Sequence, residues 1–166
     1  LTEAPQAGRT VAHSRTSISQ LMQPESANIM GDIHGGWIMK LVDEAGALAA
    51  MRHAQSRVVT VALDQMSFHQ PIRVGDLVTL NAEVTYVGRT SIETRVQVNS
   101  ENPVTGEGSH TNTAYAVYVA LDDDGRPKPV RPLIAETEAQ KRRMEAGKQR
   151  QAYRLESLKR ERDNYE

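Results

Sequence analysis

Cysteine is absent from the 166 residues, which excludes disulfides, thiolate metal sites and cysteine nucleophiles together. Aromatic residues are scarce (one Trp, one Phe and five Tyr), so any core must be mainly aliphatic. Long hydrophobic runs are missing as well. The longest unbroken apolar stretch, Ala114 to Leu121, is eight residues and far short of a membrane span. No basic start leading into an apolar stretch marks a secretory signal, so a cytoplasmic location without membrane contact is expected. Neither sign of charge prevails, and a net charge of −1 argues against nucleic-acid binding. What remains is an ordinary globular composition, 39% hydrophobic with 11 glycines, in a chain long enough for one sizeable core.

The two ends differ from the middle. Residues 1–15 carry Pro, Gly and small polar residues without apolar periodicity and read as a flexible lead-in. Residues 136–166 hold nine Lys or Arg, seven Asp or Glu and no proline, which predicts a charged C-terminal helical extension. Its apolar residues, Met144, Ala152, Leu155 and Leu158, form at best a narrow stripe, so a solvated helix is the expectation.

The middle, 16–135, reads as one folded domain. Val78, Leu80, Ala82, Val84 and Tyr86 alternate with polar residues, as do Ile92, Thr94, Val96 and Val98 against Ser91, Glu93, Arg95 and Gln97. Period two over such lengths predicts strands with one buried and one wet face, here joined as an antiparallel hairpin. Further strands are predicted at 109–121, 58–66 and 16–22. Between them, Gly36 to Met51 is rich in helix formers and apolar nearly all round, broken only by Lys40, Asp43 and Glu44. A helix apolar on every side must be enclosed. The predicted class is therefore α+β, a curved antiparallel sheet wrapped around one long buried helix.

Residues able to carry chemistry cluster around the start of that helix. Gly35 and Gly36 would leave backbone N–H groups at the positive helix end open to a ligand carbonyl, as in an oxyanion hole. They would equally permit a tight turn into a crowded core. Asp43 is a carboxylate on an enclosed helix, expensive to bury unless functional or paired; with Glu44 it also has Lys40 within reach. Asn28 suits either a water or substrate contact or a turn. His34 suits either a general base or a ring bonded to the backbone. The turn Arg89-Thr90-Ser91 combines a guanidinium, hydroxyls and backbone donors that fit a phosphate, or forms a plain hairpin link. No metal-ligand spacing, Gly-x-Ser-x-Gly elbow, dinucleotide fingerprint or P-loop occurs.

The string Asn28-x-x-Gly31-x-x-His34-Gly35-Gly36, followed by Met39-Lys40-Leu41-Val42-Asp43-Glu44-Ala45-Gly46, resembles the hotdog-fold acyl-CoA thioesterases, in particular the brain-type hydrolase and its single-domain bacterial relatives. Phe68 to Asp76, Gly88 to Ser91 and Asn102 to Gly106 extend the likeness, which covers about 16–132. It implies a hotdog fold and a fatty acyl-CoA substrate, cleaved to free acid and CoA. It also implies that Asn28 and Asp43 form the catalytic pair across a dimer interface, in a homohexamer built as a trimer of dimers. On this reading Gly35 and Gly36 polarise the thioester carbonyl, Asp43 acts as base or nucleophile, and Arg89, Thr90 and Ser91 hold the CoA phosphates. No metal or cofactor is expected, coenzyme A being part of the substrate. The rival expectations are a hotdog hydratase or dehydratase using His34, and a non-enzymatic acyl-CoA sensor.

Overall fold

In the computed structural model, which describes residues 6–165, the chain runs β1 (Arg9–Thr10), α1 (Val11–Ser14), β2 (Thr16–Leu21), a 3-10 turn, α2 (Gly35–Ala54), β3 (Arg57–Leu63), β4 (Leu77–Val87), β5 (Ser91–Glu101), β6 (Gly108–Leu121), β7 (Leu133–Ile134) and α3 (Glu138–Tyr165). The alternating segments form one five-stranded antiparallel sheet of order β2-β4-β5-β6-β3. Its inner face packs Val78, Leu80, Val96 and Val98 onto Ile38, Leu41, Val42 and Ala45 of α2. Register shifts at Thr60/Ala62, Val84/Tyr86 and Val98/Asn99 mark irregularities of the kind that increase twist and bend strands. The helix stops at Gln55, which takes the left-handed conformation (φ 51°) and returns its N–H to Met51 O.

The helix is not enclosed on every side. Met39, Leu48 and Met51 are exposed on α2 among the charged Lys40, Glu44 and Arg52, and Val59 and Val61 are exposed on β3. β3 is also an edge strand with no second neighbour among the described residues. Periodicity reports that a surface is apolar; it does not say whether the cover comes from the same chain.

Both ends correct the sequence reading. Residues 1–5 of the expected lead-in lie outside the described residues. The rest is built into the fold: β1 pairs with β7, Val11 is buried, and the buried Ser14 hydroxyl accepts the Val84 N–H at 2.9 Å. Four residues with one buried valine are too short to show a period. At the other end, α3 is not a solvated helix. It lies across the outer face of the sheet, docked by charge.

The centre of that contact is Glu93, 1% exposed, on the strand face expected to be wet. Arg150 reaches Glu93 Oε1 and Arg154 reaches Oε2, each at 2.7 Å, while Arg154 also pairs with Asp64 at 2.6 Å. The Arg150 guanidinium lies 3.8 Å from the centre of the Tyr115 ring, and the Thr85 hydroxyl donates to Glu93 Oε1. Gly147 permits this close approach, since a Cβ there would come within 2.8 Å of Glu93 Oε1 and 2.6 Å of Tyr86 Cβ. Removing one partner of a buried ion pair leaves uncompensated charge. Glu93→Gln should therefore cost about 3 kcal/mol in urea unfolding. Arg160→Gln, at an exposed pair with Glu156, should cost nothing measurable. Equal losses in the two variants would remove the special role of Glu93.

His53 is fully buried on α2 and its Nε2 lies 2.9 Å from the Arg131 carbonyl. Burial lowers its pKa from the ordinary 6.5, and the positive charges of Arg9 and Arg131 add to this against the opposing carbonyl bond. Below pH 6.5 the unfolded chain therefore binds a proton that the folded chain resists, and stability falls as pH falls. The unfolding midpoint should decline between about pH 7 and 5, and His53→Gln should flatten that decline. An unchanged slope in the variant would assign it to other groups.

Candidate active site

The start of α2 is set by its cap. His34 Nδ1 accepts the Gly36 N–H at 3.1 Å, and the His34 N–H bonds Ser26 O. Of the two roles open to His34, the ring bonded to backbone is the one observed. The same bond corrects the paired oxyanion donors, because the Gly36 N–H already has an acceptor. The Gly35 N–H has none among the described residues and remains the open donor at the helix end.

Gly35 borders a cavity of about 350 Å³ together with Asn28, Ile38, Phe68 and Ile72. Asn28 uses its side-chain carbonyl to accept the N–H groups of Met30 (2.9 Å) and Asp32 (3.3 Å). Gly31, at φ +82°, makes that turn possible. The carbonyl thus shapes the loop and the amide NH₂ is left for a ligand.

Asp43 lies eight residues beyond Gly35, about 12 Å along the helix, and does not line that cavity. It is half-buried, and its Oδ1 accepts from the Thr60 hydroxyl at 2.8 Å and from the Tyr118 hydroxyl at 3.3 Å. Tyr118 also bonds the Asp43 carbonyl at 2.9 Å. Burial first, and the charge of Asp43 second, push the Tyr118 phenol well above its usual pKa, so it stays a donor. No described donor bonds Asp43 Oδ2. Lys40 is paired with Glu44 at 2.5 Å, so Asp43 is not its counter-ion. Within one chain, then, Asn28 and Asp43 are not brought together.

Thr60 and Tyr118 were not identifiable from sequence, since each reads as an ordinary strand residue. The nearest signal is Gly46 in mid-helix. A Cβ there would collide with the Tyr118 hydroxyl and come within 2.7 Å of Thr94 Oγ1, so the glycine makes room for the tyrosine.

The turn Arg89-Thr90-Ser91 lies at the Asp43 end of the sheet, with Ser91 opposite Val119, next to Tyr118. Its carbonyls are used by the fold: Arg89 O accepts from Val130 and Thr90 O from Ala120. The Arg89 side chain is exposed and has no partner among the described residues. No group of three potential metal ligands occurs among the described residues. No described helix is long and apolar enough to cross a membrane.

A curled five-stranded antiparallel sheet closed on one long helix, with a supported carboxylate at mid-helix, defines a hotdog-fold protein. Residues 30–107 match the family model described as the thioesterase superfamily. A solved hexameric acyl-CoA thioesterase in its apo form is 38% identical, with a TM-score of 0.87 over 92% of this chain and 98% of that one. This chain belongs to the thioesterase superfamily. An acyl-CoA hydrolase from Staphylococcus aureus, solved with butyryl coenzyme A, coenzyme A and coenzyme A disulfide, is 30% identical; its TM-score is 0.83 over 95% of this chain and 99% of its own. The mouse cytosolic acyl coenzyme A thioester hydrolase is 36% identical over 143 residues, 85% of this chain. The chain spans 38% of the length of that mouse relative.

Proposed function

We propose that the protein hydrolyses fatty acyl-CoA thioesters to free acid and CoA, at a site shared between two subunits. The observation that carries this reading is the Asp43 carboxylate. It is fixed at Oδ1 by Thr60 and Tyr118, free at Oδ2, and set on the uncovered side of α2 beside the edge strand β3.

A second copy paired along β3 would cover Met39, Leu48, Met51, Val59 and Val61, and would bring Asn28 and Gly35 of one subunit towards Asp43 of the other. The Gly35 N–H, at the positive end of α2, meets the thioester oxygen as charge develops there. The Asn28 amide orients the acyl carbonyl or the water. Asp43 Oδ2 either takes a proton from water, which adds to the carbonyl carbon, or adds to that carbon itself. In the first route the carbon–sulfur bond then breaks, the free acid is released and the proton held by Asp43 passes to the sulfur. In the second the CoA thiolate leaves and takes a proton from water, and a further water hydrolyses the acyl–Asp43 anhydride to free acid and carboxylate. Arg89, with Thr90 and Ser91, holds the CoA phosphates. The reaction draws on these groups alone and calls for no metal or cofactor.

The same reading takes the assembly as a homohexamer, a trimer of dimers, supported by the hexameric state of the solved relative. It takes the location as cytoplasmic, supported by the name of the mouse relative. The test is thiol release from acyl-CoAs of increasing chain length by the purified protein. Release with free acid as co-product is expected. Hydration of enoyl-CoA without thiol release, or tight acyl-CoA binding without turnover, would overturn it in favour of a hydratase or a sensor.

A further inference from the structure

The last turns of α3 lie exposed among the described residues of their own chain. The helix crosses the outer face of the sheet from Glu83 on β4, met by Arg143, over Glu93 on β5, to Asp64 just past β3, met by Arg154. The path from Arg143 to Arg154 is eleven residues, about 16 Å of helix, and three strand spacings from β4 to β3 are about 14 Å. The two lengths agree, so α3 runs nearly at right angles to the strands and reaches the free edge at Arg154. Beyond it the helix continues to Tyr165, about 16 Å further. Leu155 and Leu158 are 58% and 57% exposed there, and from Leu158 to Asn164 every residue is exposed.

We propose that this overhang is an arm that lies on a second copy of the chain. The inference rests on the β3-edge dimer of the preceding section. Antiparallel self-pairing of β3 about its middle residue, Thr60, sets Leu63 opposite Arg57 of the partner subunit. Asp64, where α3 leaves the sheet, then stands opposite Ser56 of the partner subunit. The arm therefore lands on the outer face where the partner's Arg57 begins its strand, beside the loop that follows the partner's Leu121. The partner's own α3 crosses at the far end of its β3, eight residues or about 26 Å away, and leaves the place free.

The arm and its landing place each carry charge of both signs. In each chain the loop after β6 presents Asp123 and Asp124, both exposed, and Asp123 has no side-chain partner among the described residues. The exposed arm carries Lys159, Arg160 and Arg162 beside Glu156, Glu161 and Asp163, with Arg160 paired to Glu156. A step of three residues along α3 is about one strand spacing, which brings Leu158 to Arg162 over the first two strands of the partner. Leu155 and Leu158 then bury apolar surface that one chain alone leaves wet.

The absence of cysteine makes the test direct. Leu158→Cys and Asp123→Cys chains, separately tagged and mixed under subunit exchange, are treated with a short bis-maleimide. The heterologous cross-link should form at least tenfold faster than with a Thr105→Cys control, whose site is an exposed loop. Separately, ending the chain after Arg154 keeps the Arg150 and Arg154 contacts and so preserves the fold, checked by circular dichroism. The concentration at which the assembly falls to single chains should rise at least tenfold. Cross-linking at the control rate, or undiminished association of the shortened chain, would overturn the arm while leaving the thioesterase reading intact. A full-length protein that is a single chain at all concentrations would overturn both the arm and the shared site.

Discussion

Asp43→Asn should lower thiol release from acyl-CoA by about two to four orders of magnitude. The amide keeps the size of the carboxylate and, at its carbonyl, the acceptor that Thr60 and Tyr118 hold. What it loses is the basic or nucleophilic oxygen at the free position. The change is thus confined to chemistry: folding, assembly and acyl-CoA affinity should persist, the last measured by calorimetric titration with an acyl-CoA. A loss carried by weaker binding would recast Asp43 as a binding residue. Near-normal thiol release by the folded variant would remove it from the reaction.

A second large effect is expected from mixing two inactive proteins. Asn28→Ala and Asp43→Asn should each be nearly inactive alone. Complete exchange of subunits would make half of all dimers mixed, and each mixed dimer would hold one site with both lesions and one with neither. Activity should return from almost nothing to roughly a quarter of the unaltered protein, if the sites act independently. The distribution of Asn28 and Asp43 within one chain motivates this. Asn28 faces the cavity at the start of α2, while Asp43 sits about 12 Å along the helix, turned to Thr60 and Tyr118. Exchange confirmed by mass spectrometry without recovery would mean that each chain works alone.

The elements that bury a continuous face were legible before any coordinates. β4, β5 and β6 alternate in period two, and α2 announces itself by composition, so the α+β wrap follows from simple patterning. Asp43 was legible for the opposite reason, as a charge in an apolar helix. The rest of the site depends on contacts that no local pattern records. Thr60 and Tyr118 meet because the β3–β6 register sets them opposite each other beneath Asp43. The Gly36 N–H is taken by His34, two residues away, through a ring orientation that spacing leaves open. α3 misled because amphipathicity measures apolar stripes, and this helix docks through guanidinium groups on a buried carboxylate.

The unpaired side of β3 has a consequence for how the protein must be made. A newly folded chain exposes a ladder of free N–H and C=O groups flanked by Val59 and Val61, a template that any extended segment can extend. Dilute chains wait long for the correct mate, and concentrated unfolded chains meet wrong ones. Refolding yield is therefore governed by the interval that each chain spends alone, and the most productive protein concentration lies between those extremes.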